Sequence, residues 1–501
     1  MKVFLMYPEK DFDQEMKLPE NSKALIKDLE LNTLLKAMAN EDDLIKDVVK
    51  KTILNSLTDI SNIIYRQDIL KDCLKNTKVV KDLYKLVIEA IDKKNNHYIG
   101  ILRKSPTSIL SGSVNLLKDF LEMLEKLRMM ADNHKEEFDS EGFKQFFEII
   151  QKQLNNQFFA EAEGHLEELK FRQGTFIKAE LKEGNKGNNY SLLRNENSNL
   201  FEHLWSKISF NSARSYRFSI NSRDDAGFRA ISEIKDRAVN YTANTVGQAS
   251  DHILGFFEKL RVELSFYIGC LNLSKKLEKL DEPISFPQPL KVTERKQQIT
   301  ELYDPCLALT MENKVVGNDL KAEKESLYII TGANQGGKST FLRAIGLAQL
   351  MMQAGMFVTA ESYTSNLCQD LYTHYKREED TEMESGKFDE ELKRMNKIVD
   401  NLEPNAMVLF NESFAATTEK EGSEIARQIV KALIEKKIKI LFVTHLYNFA
   451  SSFYEREDDD VKFLRAERKD DGSRTFKIVE ARPLITSYGQ DLYHNIFSTA
   501  K

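Results

Sequence analysis

Apolar positions recur every three or four residues over most of the first 280 residues of the chain. From about Leu29 to Lys170 the spacing is that of one face of an α-helix, as in Phe143, Phe146, Phe147, Ile150, Leu154 and Phe158. It resumes from about Asp224 to Leu280, where Ile253, Phe256, Phe257, Leu260, Leu264, Tyr267 and Leu271 repeat it. No proline occurs between Pro106 and Pro283, so nothing in that interval forces a helix to break. The second run predicts one continuous helix of roughly 80 Å at about 1.5 Å per residue, long enough for a lever or strut. "DEPISFPQPL" (Asp281–Leu290), with three prolines, reads as its stop and as a linker.

Between the two helical blocks the period drops to two. "TFIKAEL" (Thr175–Leu181) and "YRFSI" (Tyr216–Ile220) alternate like strands around the turn-rich "KEGNKGNN", which predicts a small β insertion at about residues 172–222. Beyond the linker, "SLYIITG", "AMVLFNE" and "IKILFVTH" are short apolar runs that each end on a glycine or polar residue, separated by helical stretches. Such runs suit parallel strands covered on both faces by helices. The expected fold is therefore mixed: an N-terminal all-α core and lever over 1–290 carrying the β insertion, and a C-terminal α/β domain over 291–501.

Composition narrows this picture without changing it. With 501 residues, 41% of them hydrophobic, the chain can build several cores. Its formal net charge of −6, with 30% charged residues of both signs, excludes a global positive field, so any nucleic-acid contact has to be local. No stretch approaches 18 uncharged apolar residues, which points away from a membrane and to a cytoplasmic location. Cys73, Cys270, Cys306 and Cys368 lie far apart with no CxxC pair and are expected to be plain thiols.

The chemistry concentrates in "IITGANQGGKSTFLRAI" (Ile329–Ile345). Gly332, Gly337, Lys338 and Ser339 match GxxxxGK(S/T), placed after an apolar run and before a helical one as a P-loop requires. Glycines let successive amides curl around phosphate oxygens, the helix N-terminus adds partial positive charge, Lys338 reaches the outer phosphates and the Ser339 hydroxyl can ligate Mg2+. The candidate triphosphate site is Gly332, Asn334, Gly336, Gly337, Lys338, Ser339 and Thr340. At the end of the second run, Glu412 is placed to deprotonate water, and Asn411 stands where an aspartate normally supports magnesium. His445, ending the third run, is a candidate γ-phosphate contact and, with Glu412, a candidate catalytic residue.

Taken together, "IITGANQGGKST", "QAGMFVTAES", "MESGKFDEELKRM", "VLFNESFAATTEKEGSEIA" and "FVTHLYNF" resemble, in this order, the ATPase domain of the MutS family of DNA mismatch repair proteins. "HILGFFEKLRVELSFYIGCLNLSKKL" is similar to that family's lever helix and "LTDISNIIYRQDIL" to a segment of its helical core. The resemblance covers about residues 29 to 495. It implies an ABC-type ATPase using ATP and Mg2+ and a homodimer whose two nucleotide sites complete one another. Ser385 and Gly386 would then approach the nucleotide held by the partner copy, with Gln353 and the Thr417–Glu419 loop near the interface, and Tyr488 is a candidate for adenine stacking. DNA is the implied partner.

The departures from the family pattern carry expectations of their own. Ala333 and Gln335 replace the proline and methionine of the family's usual phosphate loop, leaving the glycines and lysine intact. Asn411 replaces an aspartate, which predicts weaker magnesium binding and slow turnover. Mismatch-reading members carry an N-terminal domain and a connector with a Phe-x-Glu wedge, which this chain is expected to lack. Its triplets of that form, Phe120–Glu122 and Phe159–Glu161, fall in helical stretches. Two functions follow: a dimeric MutS-like ATPase that couples nucleotide state to lever movement and DNA binding, or a nucleotide-sensing dimeric scaffold with little hydrolysis and a protein partner. A chromosome-structuring ATPase fits less well, because Lys338 and Asn411 are too close in sequence to hold a long coiled coil between them.

Overall fold

The computed structural model describes residues 2–98, 105–172, 174–185, 187–193, 219–377, 386–456 and 459–484. Among them the chain is mixed α/β, with fourteen α-helices and three sheets. The helices of the first half are α1 (Ser22–Asp28), α2 (Leu31–Ala39), α3 (Asp43–Leu54), α4 (Ile60–Lys75), α5 (Thr77–Tyr98), α6 (Pro106–His134), α7 (Glu141–Gln153) and α8 (Asn156–Glu168). Several begin on the side chains that favour such starts: Asp42 accepts from the amides of Leu44 and Ile45, and Asp59 from those of Ser61 and Asn62. The hairpin β1 (Ile177–Leu181) and β2 (Gly187–Leu192) follows, antiparallel with Ile177 opposite Leu192. β2 thus starts inside the stretch expected to be only a turn. Of "YRFSI", residues 216–218 lie outside the described residues, and Ser219 and Ile220 are not in a strand.

The long helix is α9, Asp225–Glu278, an unbroken 54 residues. Its last turns carry a buried apolar face that includes Leu264, Phe266, Tyr267 and Leu271. Then come β3 (Gln288–Leu290), β4 (Gln297–Leu302), α10 (Pro305–Met311), β5 (Asn318–Ala322), β6 (Leu327–Gly332), α11 (Lys338–Gln353), β7 (Ser362–Asn366), β8 (Leu371–Tyr375), α12 (Lys387–Asn401), β9 (Met407–Asn411), α13 (Glu419–Glu435), β10 (Lys439–Val443), α14 (Tyr447–Tyr454), β11 (Val461–Arg468) and β12 (Arg474–Glu480).

The contacts group the chain into two compact units. One comprises Met1–Val3, Lys81–Glu137 and Lys144–Arg261; the other comprises Phe4–Val80, Phe138–Phe143 and Val262–Lys501. In the first unit Phe120 and Phe257 meet with ring centroids 6.1 Å apart, in a core that includes Leu124, Leu127, Phe146, Phe147 and Ile150. Phe120 of the first Phe-x-Glu triplet is therefore a core residue of α6, and the second triplet lies within α8.

The second unit is built on a six-stranded sheet in the order β12-β11-β6-β10-β9-β8, parallel except for β12, and a four-stranded sheet in the order β3-β7-β4-β5, whose Asn318 on β5 bonds to Phe476 and Ile478 of β12. β6 and β10 are buried along their whole length, as expected for central strands covered on both faces. Phe410, Phe442 and Phe449 stack between the sheet and its helices, Phe410 on Phe442 at 4.8 Å and 12°. Residues 4–12 also belong here. The buried Glu263 carboxylate accepts from the amides of Leu5 (2.6 Å), Met6 (3.1 Å) and Phe12 (2.8 Å), and Arg66 Nε donates to the Met6 carbonyl (2.9 Å). Burial pushes Glu263 up to about 7 even with those amides opposing it.

Candidate functional site at the carboxyl end of the parallel strands

Strand register places the candidate residues side by side. Val443 of β10 is level with Ile330 of β6 and with Asn411 of β9. The residues that leave the three strands next, Thr331–Gly332, Glu412 and Thr444–His445, therefore emerge at one edge. This is the carboxyl end of the sheet, where open α/β folds place their ligands. Backbone bonds hold the alignment: Thr444 donates to the Ile330 carbonyl (3.1 Å) and Glu412 to the Val443 carbonyl (2.9 Å).

The glycines of the loop are required by neighbours on β11 and β12. Gly332 has φ of 109°, and a Cβ there would sit 3.0 Å from the Ala466 amide nitrogen opposite it on β11. A Cβ at Gly336 would meet the Ala466 methyl at 2.7 Å, and Gly337, φ 90°, starts α11 with no side-chain cap. The first-turn amides of α11 thus face the loop with the helix's positive end.

Lys338 is only 5% exposed, and its Nζ donates to the Gly332 (3.2 Å) and Ala333 (3.0 Å) carbonyls. Burial lowers it to about 8, with Arg474 pushing the same way and Glu412 opposing. The Ser339 hydroxyl donates to Asn411 Oδ1 at 2.9 Å. Glu412 Oε1 lies 2.9 Å from His445 Nε2, both side chains about a third exposed. That hydrogen bond, joined by the charges of His445 and Lys338 and opposed by desolvation, holds the Glu412 carboxyl below its ordinary range.

The structure brings together Gly332, Asn334, Gly336, Gly337, Lys338, Ser339, Thr340, Asn411, Glu412 and His445. It does not bring Gln353 to them. Gln353 ends α11, fifteen residues from Lys338 and so about 22 Å along the helix, and is fully buried. Its Nε2 donates to the Leu57 and Cys368 carbonyls, both at 2.9 Å, and its Oε1 accepts from Gln349 Nε2 and the Cys368 amide. Gly386 is the residue before α12, and a Cβ there would meet nothing within 4 Å. Ser385 and Tyr488 lie outside the described residues. Thr417 donates to Glu421 Oε2 (2.6 Å) and Thr418 caps α13.

Two features escape a reading of the sequence. Arg474 of β12 donates from Nε to the Asn334 carbonyl (3.2 Å), adding a second cation to the loop; nothing local distinguishes it from other strand arginines. Behind Glu412, His374 of β8 meets Ser413 and α12, a contact across 39 residues that no spacing rule reveals.

The residues fit a triphosphate: a glycine loop packed closely on β11 and β12, an uncapped helix N-terminus and a buried lysine bonded to two carbonyls. They fit a divalent cation less strongly. Among the described residues no group of three or more His, Cys, Asp or Glu could hold a metal, and the two oxygens offered, Ser339 Oγ and Asn411 Oδ1, are neutral. No helix among the described residues is long and apolar enough to cross a membrane.

Residues 58–280 match the family described as MutS2 N-terminal domain, and residues 328–496 match MutS domain V, an ATPase domain. The chain is similar to MutS protein homolog 4 of Homo sapiens, 30% identical over 196 residues, 37% of this chain and 21% of that protein. It is similar to DNA mismatch repair protein MutS of Leptospira interrogans, 26% identical over 266 residues, 50% of this chain and 31% of the relative. It is also similar to Endonuclease MutS2 of Lacticaseibacillus casei, 28% identical over 247 residues, 47% of this chain and 29% of the relative. The matched regions span about a fifth to a third of the length of these curated relatives. With one MutS-family match on its helical region and another on the sheet that carries the glycine loop, this chain is a MutS-like protein.

Proposed function

We propose that the chain binds ATP at the Gly332–Thr340 loop and hydrolyses it, and that two copies share the nucleotide sites and couple their occupancy to movement of α9 and to DNA. The observation that carries this reading is the convergence of Lys338, the Ser339–Asn411 pair and the Glu412–His445 pair at one edge of the sheet. When bound, ATP supplies the phosphoanhydride bond and Mg2+ the neutralisation of its charge. The loop amides and Lys338 hold the phosphate oxygens, and Ser339 and Asn411 offer oxygens to the cation. Glu412 accepts the proton of water at its carboxylate, with His445 fixing the direction in which that carboxylate points.

Sharing of the site rests on the family, and Gly386, at the start of α12, has nothing within 4 Å of its Cβ position among the described residues. DNA binding rests on the family. The net charge of −6 opposes DNA overall and confines contact with the phosphate backbone to local basic patches, weak and steeply dependent on salt.

Asn411 favours a second reading, a nucleotide-sensing dimer with little turnover and a protein partner, because an amide lacks the charge a hard dication prefers. Phosphate release separates the two. Glu412→Gln is expected to lower the steady-state rate by about 10²–10⁴-fold with ATP binding retained. A rate that is negligible in the unaltered protein and unmoved by the substitution supports the scaffold. ATP-dependent change of DNA affinity at low salt tests the DNA part, which falls if affinity is the same with and without nucleotide.

A further inference from the structure

Glu412 sits in a backbone conformation that a non-glycine residue does not hold unaided. Its φ is 54°, and Phe414, two residues on, has φ of 63°; both are left-handed values that persist only where surroundings over-determine them. Four elements do so here. From β10, the Val443 carbonyl takes the Glu412 amide. From α12, the buried Glu391 carboxylate accepts from the Phe414 amide at 2.7 Å. From α13, Gly422 approaches so closely that a Cβ there would lie 2.3 Å from the Phe414 carbonyl oxygen. From β8, His374 places Nδ1 2.7 Å from the Ser413 hydroxyl, which also reaches the His374 carbonyl at 2.5 Å, and stacks on Phe414 at 5.3 Å and 20°. Its other nitrogen, Nε2, lies 3.1 Å from the Glu391 carbonyl, so one imidazole ties the residue after Glu412 to α12.

The geometry points to His374, Ser413 and Glu391 as positioning residues that hold the Glu412 carboxylate on His445 and aimed at the glycine loop. This rests on the reading of Glu412 as the group that deprotonates water. None of the three touches the loop or the cation ligands; all act through the turn Glu412–Phe414. Ser413 and His374 are both fully buried, so a hydroxyl and an imidazole are kept from water solely for each other and for α12. Burial, with the charges of Arg394 and Arg377 acting the same way, pushes His374 down to about 4. The ring is therefore neutral under ordinary conditions, with its one N–H given to the Glu391 carbonyl, and the single Ser413 proton is shared between the His374 carbonyl and the lone pair on Nδ1.

Ser413→Ala removes one oxygen from a site closed on all sides. It is expected to lower kcat by about 10- to 100-fold, the cost of misdirecting a reacting group by an ångström or so, while the ATP dissociation constant stays within about twofold. In the Glu412→Gln background, followed by single turnover of labelled ATP, the same change is expected to cost less than about twofold, since the group being aimed is gone. Glu391→Ala should behave like Ser413→Ala, and Glu391→Gln, which keeps an acceptor for the Phe414 amide, should recover most of the rate. A second readout needs no turnover: with histidine-selective isotope labels on the eight histidines, the His445 ring signal in Ser413→Ala should move toward its position in Glu412→Gln. Equal fractional losses in both backgrounds, or kcat within twofold of the unaltered protein, overturns the proposal. Should the unaltered protein show no turnover, the base role of Glu412 falls; the positioning then stands or falls on whether the His445 signal moves.

Discussion

The six-stranded sheet holds a buried lysine at each end, and the two are buried to different purpose. Lys338 follows the carboxyl end of β6 and is 5% exposed; Lys439 opens β10 at the opposite end and is 3% exposed. Burial lowers both, Lys338 to about 8 and Lys439 to about 7. Lys439 donates to Asn366 Oδ1 at 3.0 Å, lies 5.7 Å over the Tyr328 ring, and adjoins the closed network of Gln349, Gln353 and Cys368. Lys338 stands instead among exposed Ser339 and Gln335, at the uncapped start of α11, bonded to carbonyls that an incoming anion can replace. Burial of a lysine alone thus marks nothing; on the function proposed above, the glycines and the helix start around Lys338 make one end a binding site, while the other end joins two sheets.

The comparison predicts opposite responses to the same substitution. Lys439→Ala leaves a cavity and an orphaned Asn366 oxygen, and is expected to lower stability by about 2–4 kcal/mol with ATP affinity unchanged, as read by urea unfolding at pH 8.5, where Lys439 is neutral.

A pH series sharpens the contrast. For a lysine lowered in the folded state, the unfolded chain binds more protons between the two values, so stability rises with pH across that window. For Lys439 the window runs from about 7 to the ordinary lysine value, and the rise should shrink in Lys439→Met. For Lys338 the same shift appears in binding. ATP should bind with proton uptake and lose affinity as pH climbs past about 8, measured by calorimetry in buffers of different ionisation enthalpy. The smallest effect expected is that of Asn411→Asp: one added charge beside the cation should tighten Mg2+ dependence by about fivefold, on the order of 1 kcal/mol, in a magnesium titration of ATP binding.

Much of the sheet's centre was legible. Its three apolar runs became β6, β9 and β10, and α9 spans Asp225–Glu278 against an expected Asp224–Leu280. The neighbouring β8, β11 and β12 are not legible, because strands such as "VKFLRAER" and "RTFKIVE" mix charged residues into half-buried positions and blur the alternation. Nor did the pattern show that residues 4–80 pack with the C-terminal half: the bonds from Leu5, Met6 and Phe12 to Glu263 span some 250 residues. The proline-rich boundary near residue 290 and the packing units are different divisions, one marking where the chain turns, the other where side chains meet.

At the site, the glycine loop was legible because its chemistry is local: spacing, a strand before and a helix after. His374, Ser413, Glu391 and Arg474 were not, since each matters through a partner that only the tertiary fold supplies. Gln353 shows the converse, a residue associated with nucleotide by resemblance whose amide the fold spends internally.

The central claim is that the Gly332–Ser339 loop binds ATP through Lys338. Calorimetric titration of ATP with Mg2+ into the unaltered protein and into Lys338→Ala tests it most directly. The account predicts saturable binding by the first and affinity at least about 100-fold weaker in the second, a loss of ~2.7 kcal/mol, with thermal unfolding preserved. Indistinguishable titrations of the two proteins would contradict it.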